Sequence, residues 1–518
     1  MNTNVLVDRA AHQFPSNVAV KCHGTSYTYA EVNERANRLA NGLLALGLQK
    51  GDRVGLLVRN CAEYLEIEFG LAKAGLVAAP MNVRLALHDF GYISNDAGIS
   101  ALIFDATFAA TVRQLALKLD RPCHLICLGE DHGRFLEYER FLSTCSGSHP
   151  EIQVDEDDLH TLMYTSGTTG RPKGVMQTHR NRTTVTFNLL MEMGPHSQAD
   201  CILHVAPLTH GTGMFLLPYF TRGACSIVLQ EFTPQLVCET VERERVTVFK
   251  LVPTILLRLL AFPELQHYDL SSLHTIIYGA SPMPPEKLKQ AVRIFGNVFM
   301  QLYGQAEAAM SITVLRKEDH VIDGQPEAVR RLASAGCVWP TVELRVRDKD
   351  GADLGPGEVG EVAVRGDHVM RGYWKLPEET AEVLRDGWLY TRDMGWLDGY
   401  GYLYLVDRKS DMIISGGFNI YPREIEDVLH QHPAVQDVAV VGVPDEEWGE
   451  AVKALVVVHR GMRVSAGELA AFCKEHLPSF KKPKTIEFID AVPRNAYGKP
   501  LRRVLRERYW QGFDRRVH

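Results

Sequence analysis

Eleven consecutive residues, Thr165-Ser-Gly-Thr-Thr-Gly-Arg-Pro-Lys-Gly-Val175, constrain this chain more than any other feature. They follow directly on an apolar run at 159–164 that reads as a buried strand. Glycines at 167, 170 and 174 let backbone N–H groups come close to an anion. The hydroxyls of Thr165, Ser166, Thr168 and Thr169 add donors, and Lys173 adds charge. A polyphosphate needs this combination. The spacing is not that of the usual P-loop, which requires four residues between its first glycine and Gly-Lys-Ser/Thr. A plain Ser/Gly surface turn is the alternative, but it gives no reason for alternating hydroxyls and Arg-Pro-Lys-Gly after a buried strand.

The surrounding chain supports an α/β setting. Thr28 and Glu31 have capping-box spacing, Leu39, Leu43 and Leu44 continue an apolar face, and Gly47 ends it. Strand-like 53–58, a helical pattern over 64–74 and a short apolar run at Val77 follow. The same rhythm returns at 203–205, 227–229, 246–251 and 273–278, which predicts parallel strands covered by helices. After about residue 340 short alternating runs, 342–346 and 360–364, are separated by glycine-rich turns and predict a small β-barrel over about 340–405. A last segment predicts a helix at 424–430, strands at 437–443 and 452–458, and a helix near 466–475. The expected fold is therefore α/β: a large N-terminal region, 1–409, of layered α/β subdomains plus the small barrel. A small mobile α+β domain, 410–518, completes it. With 518 residues, three or four units of roughly 150 residues are expected.

Further motifs complete a pattern. Gly279-Ala-Ser-Pro-Met283, Tyr303-Gly-Gln-Ala-Glu307, Trp388-Leu-Tyr-Thr-Arg-Asp393, Asp407-Arg-Lys-Ser-Asp-Met-Ile-Ile-Ser-Gly-Gly417 and Pro493-Arg-Asn-Ala-Tyr-Gly-Lys499 occur in that order. With the phosphate loop they resemble the adenylate-forming superfamily, and within it the AMP-dependent acyl-CoA synthetases. The resemblance implies a ligase in two half-reactions. A carboxylate attacks the α-phosphate of Mg-ATP to give acyl-adenylate and pyrophosphate; coenzyme A then displaces AMP. It also implies roles. Thr165, Ser166, Gly167, Thr168, Thr169, Gly170 and Lys173 would handle the phosphates, and Gly279, Ala280 and Tyr303 the adenine. Asp393 and Arg408 would take the ribose side, and Glu307 would hold Mg2+. Lys499 would bridge carboxylate and α-phosphate, although read alone it is a solvated surface charge. Ser410 stands at the hinge position. Gly416, Gly417, Trp448, Phe480 and Lys482 match coenzyme A positions. His210 would sit between acyl site and nucleotide, with Met214, Phe249, Ala280 and Leu302 lining an apolar acyl pocket; core packing explains those apolar residues equally well.

Three positions depart from the pattern: Ala306 where threonine is usual, Arg392 where glycine is usual, and Ser410 where aspartate or lysine is common. The acid is expected to be fatty or aromatic, placing the enzyme in fatty acid metabolism or its aromatic counterpart. The sequence commits no clear extra cation to a dicarboxylate, with Lys250 as the one residue that weakens this exclusion. Transfer to a separate carrier protein, or a nucleotide-responsive protein without activity, are the alternatives. A net charge of -7 argues against nucleic acid as a partner, although 481–508 carries nine basic residues against three acidic ones. No signal peptide or transmembrane run is visible, and ten cysteines without a disulfide framework suggest a cytoplasmic protein with reduced thiols. Monomer and homodimer remain equally open.

Overall fold

The computed structural model describes all residues except 131–134, 166–171, 194–196, 282, 409–410, 416–417, 446, 479–480, 495–499 and 512–518. The chain forms two compact units: Met1–Leu344 with Val364–Leu389, and Arg345–Ala363 with Tyr390–His518.

The first unit contains two layered sheets with helices packed on them, as the alternating sequence rhythm requires. In one, parallel strands run in the order Phe299–Tyr303, Thr275–Gly279, Val248–Leu251, Cys201–His204, Cys225–Val228 and Val18–Cys22. Antiparallel strands Thr313–Leu315 and Thr25–Thr28 flank that run. The other sheet sets Val77–Pro80, Arg53–Leu57, Ile99–Asp105 and His124–Leu128 in parallel, with the hairpin Leu159–Thr165 and Lys173–Thr178 along one side.

The sequence reasons for these elements are local. Helix Tyr29–Ala45 opens with the expected capping box: the Thr28 side chain accepts from the Glu31 N–H, and Glu31 accepts from the Thr28 N–H at 2.7 Å. Helix Glu63–Lys73 is buried along most of its length, so even its lysine is interior. The Lys73 ammonium donates to Asp8, to Asn33 at 2.8 Å and to Asn37 at 2.9 Å, so all three of its N–H groups are satisfied.

The antiparallel region after residue 340 differs from the expected barrel. Strands Glu343–Arg347, Gly360–Arg365, Trp388–Leu397 and Leu384–Arg385 form one path, and Leu403–Arg408 branches from Trp388–Leu397. Among the described residues no pairing closes this sheet. Alternating short strands specify a half-buried sheet, but closure needs a pairing between the end strands that alternation alone does not encode.

In the second unit, Val435–Asp445 and Gly449–Val458 pair as a long hairpin, with Thr485–Phe488 added in parallel. Helices Pro422–Leu429 and Ala466–His476 contribute Ile425, Leu429, Leu469 and Cys473 to its core. Among the described residues no helix is long and apolar enough to cross a membrane.

Candidate active site

The phosphate-loop motif sits on a hairpin. Thr165 is paired with Lys173 and Tyr164 with Gly174, so both ends of the motif are fixed to a rigid ladder. Residues 166–171, which carry Ser166, Gly167, Thr168, Thr169 and Gly170, lie outside the described residues. Lys173 is buried, and its ammonium lies 5.2 Å from the centre of the Tyr373 ring. Tyr373 is carried there by strand Gly372–Tyr373, which pairs antiparallel with Lys173–Thr178. Its hydroxyl donates to Glu307 Oε1 at 2.9 Å. Two more bonds hold the Glu307 segment: the Met370 N–H donates to the Glu307 carbonyl at 2.8 Å, and Gln177 Nε2 donates to the Ala306 carbonyl at 3.0 Å. The structure thus brings Lys173 and Glu307 together around Tyr373, a residue the sequence reading did not single out.

Gly279, Ala280 and Tyr303 lie at the C-terminal ends of neighbouring parallel strands, the side of an open α/β sheet where ligands bind. The approach is close. A Cβ on Gly279 would lie 2.3 Å from the Leu302 carbonyl oxygen, so only glycine fits. Ala280 has φ +70°, and Ala309 and Met310 in the turn after Tyr303 have φ +32° and +63°. Left-handed backbone at three non-glycine residues is strain held at a single sheet edge, of the kind that accompanies function.

His210 and Met214 share a small cavity with Tyr64, Glu68, Thr161 and Arg182. Arg182 donates both to Glu68 Oε1 and to Met214 Sδ, so the apolar lining is tied to a buried ion pair. Burial pushes the Glu68 carboxyl up while Arg182 pulls it down. The other expected pocket residues stand elsewhere. Phe249 is packed in the apolar core with Val241, Leu251, Leu256 and Ile276. Leu302 is buried beside Gly279 in the ladder, and Ala280 is exposed.

In the second unit Asp393 and Arg408 are cross-strand partners, joined by an ion pair of 2.8 Å. Arg392 has φ +61°, the conformation that glycine adopts without strain. The Asp407 side chain is buried; burial raises its carboxyl to about 6, Arg502 opposes this, and Asp411 and Glu426 add to it. Arg502 reaches Asp411 at 3.1 Å and Glu426 at 2.6 Å. Trp448 is exposed in the hairpin turn, its N–H bonded to Asp445 at 3.1 Å; Lys484 pairs with the same aspartate at 2.5 Å, which brings the segment with exposed Lys482 to that turn. Ser410, Gly416, Gly417, Phe480 and Lys499 lie outside the described residues. All ten cysteines are free thiols.

Among the described residues no group of three or more His, Cys, Asp or Glu side chains is arranged to hold a metal. Glu307 fits a different kind of site. A lone carboxylate supplies one hard oxygen ligand to a magnesium ion carried mainly by phosphates and water.

Family models and similar proteins cover most of the chain. The AMP-binding enzyme model matches residues 7–374, and the model of the AMP-binding enzyme C-terminal domain matches 424–499. A feruloyl-CoA synthase from Amycolatopsis sp is 41% identical over 97% of this chain and 98% of its own length. The medium/long-chain-fatty-acid–CoA ligase FadD8 of Mycobacterium tuberculosis is 38% identical over 95% of this chain and 87% of its own. Among solved structures, ATP-bound MatB from Rhodopseudomonas palustris superposes with a TM-score of 0.89 at 31% identity, covering 99% of this chain and 100% of that one.

Proposed function

The chain belongs to the AMP-binding enzyme family, and on that premise we propose how its residues divide an ATP-dependent ligation. The enzyme activates a carboxylic acid as an acyl-adenylate and then forms the thioester with coenzyme A, releasing AMP and pyrophosphate. The acid is fatty or aromatic.

A carboxylate is a poor acyl donor because oxide leaves badly; adenylation gives it AMP as the leaving group. The first half-reaction needs positive charge where the phosphoryl group is transferred. The observation that carries the assignment is the Tyr373 hydroxyl bonded to Glu307 beneath the Lys173 ammonium. It supports a reading in which Lys173 and the loop residues Thr165 to Gly170 bind the β- and γ-phosphates. Glu307 would hold magnesium, which supplies charge to the polyphosphate when bound. Gly279, Ala280 and Tyr303 bind adenine. Asp393 accepts from the ribose hydroxyls, and Arg408, already paired with it, approaches the same sugar. Lys499 bridges carboxylate and α-phosphate. The segment from 410 onward would then turn at Ser410 and present Gly416, Gly417, Trp448, Phe480 and Lys482 to coenzyme A. A cytoplasmic location belongs to the same reading, since ten free thiols suit a reducing compartment.

An acid-panel assay of AMP release with and without coenzyme A tests the reaction and its acceptor. AMP release that needs both a carboxylic acid and coenzyme A is the expected result. Lys499→Ala should slow adenylation several hundredfold, about 3–4 kcal/mol, and leave thioester formation from supplied acyl-adenylate intact. Adenylation at the original rate would remove Lys499 from the mechanism.

A further inference from the structure

Strand Val248–Leu251 is buried at every position, with one face apolar and the other carrying a charge. Phe249 and Leu251 enter the hydrophobic core. Lys250 lies on the opposite face, 5% exposed, with its ammonium 5.8 Å from the centre of the Phe215 ring. Phe215 directly follows Met214, which lines the cavity with His210. Lys250 also lies near the C-terminal end of its strand, level with Ile277, two residues before Gly279. Lys250 does not itself line that cavity; its ammonium approaches it through Phe215, the chain neighbour of Met214, near the C-terminal end of a strand, the end at which open α/β sheets bind ligands.

The ammonium has three donors and, among the described residues, one acceptor, the Leu251 carbonyl at 3.1 Å. Among the described residues no carboxylate lies within ion-pair distance of it. Its register partner on the neighbouring strand is His204, fully buried, with Nε2 3.3 Å from Ser226 Oγ and Nδ1 without a partner among the described residues. Burial, and then Lys250 itself, push the His204 imidazole down to about 3, so it is neutral and adds no second charge. Burial alone pushes Lys250 down to about 8. Two buried polar side chains with spare hydrogen-bonding capacity thus stand side by side. Such groups persist in an interior when something else satisfies them.

We propose that Lys250 is a specificity-determining residue, which receives an oxygen-bearing substituent at the end of the acid remote from the reacting carboxylate. The class of substrate is an acid with a distal hydroxyl or second carboxylate, and His204 holds the strand position beside it. This rests on the acid–CoA ligase reading and narrows its substrate. A pocket that hydrogen-bonds a substrate oxygen discriminates against the analogue lacking it far more strongly than an apolar pocket discriminates by size.

Two matched pairs test the assignment: 4-hydroxycinnamate against cinnamate, and octanedioate against octanoate. For the original enzyme, kcat/KM for the oxygen-bearing member of at least one pair should be about 10–100-fold higher, the range of a hydrogen bond to a charged group. A preference in the first pair identifies the oxygen as a hydroxyl, and in the second as a carboxylate. Lys250→Met should abolish that preference while leaving kcat/KM for the plain member within a few-fold. Equal losses on both members, or no preference in either pair, would overturn the proposal. Lys250→Arg, which keeps the charge, provides a second variant should the methionine fold poorly; it should retain part of the preference. No AMP release with any acid would instead refute the ligase reading, and this inference with it.

Discussion

Two buried lysines in the same unit meet opposite surroundings. Lys73, at the end of helix Glu63–Lys73, places its three N–H groups on Asp8, Asn33 and Asn37. Lys250, on strand Val248–Leu251, has among the described residues a single carbonyl acceptor and an aromatic ring. The first lysine ties three helices into one layer, since Asp8 belongs to Thr3–Gln13 and the asparagines to Tyr29–Ala45. The second ties nothing together. Compensated charge marks a place where the fold is joined; uncompensated charge marks a place held ready for a ligand.

Substitution should separate the two. Lys73→Met leaves two asparagine oxygens and one oxygen of the partly exposed Asp8 without their donor, and should lower the unfolding free energy by about 2–3 kcal/mol, measured by denaturant titration. A loss under 1 kcal/mol would break the contrast. Lys250→Met should act in the other direction, raising stability at pH 7 by about 2–3 kcal/mol because an unpaired ammonium no longer has to be buried. Its pH dependence sharpens the difference. Lys250 titrates near 8 when folded and at 10.5 when unfolded. Below pH 8 both states carry the proton and the penalty is complete. Between pH 8 and 10.5 the unfolded chain binds more protons, so the stability of the original protein climbs with pH and then levels off. The methionine variant should lack that climb. Stability curves of the two proteins that stay parallel from pH 8 to 10.5 would mean that Lys250 is not buried unpaired.

A smaller effect is expected at Arg392. Its left-handed backbone should make Arg392→Gly stabilising by about 1 kcal/mol, seen as a raised Tm. Tyr373→Phe should be nearly silent in stability and raise KM for ATP a few-fold, because the Glu307 carboxylate loses the hydroxyl that orients it. An unchanged KM would detach Tyr373 from the nucleotide site.

Much of the fold was legible because its signals are local. The Thr28 capping box, the apolar runs of the parallel strands and the hairpin after residue 435 each depend on a few neighbouring residues. The failures have a common physical source. The barrel closure, for which the described residues show no pairing, and the role of Tyr373 both depend on which strands become neighbours, and that is decided by packing across the whole sheet. Gly372–Tyr373 pairs with a strand nearly two hundred residues earlier. The acyl pocket shows a different failure. Phe249 and Lys250 are adjacent in one strand and so must face opposite ways. That alternation was readable in the sequence, and it separates the phenylalanine from any pocket that the lysine can reach.

The contact at Gly279 reaches beyond this molecule to the gene that encodes it. Every missense change at a glycine codon adds at least a Cβ, and here that atom would stand 2.3 Å from a backbone oxygen. No rotamer change can move a carbonyl held in a parallel ladder, so the clash cannot be relieved locally. This codon should tolerate only synonymous change. In a saturation library selected for activity, position 279 should keep glycine alone.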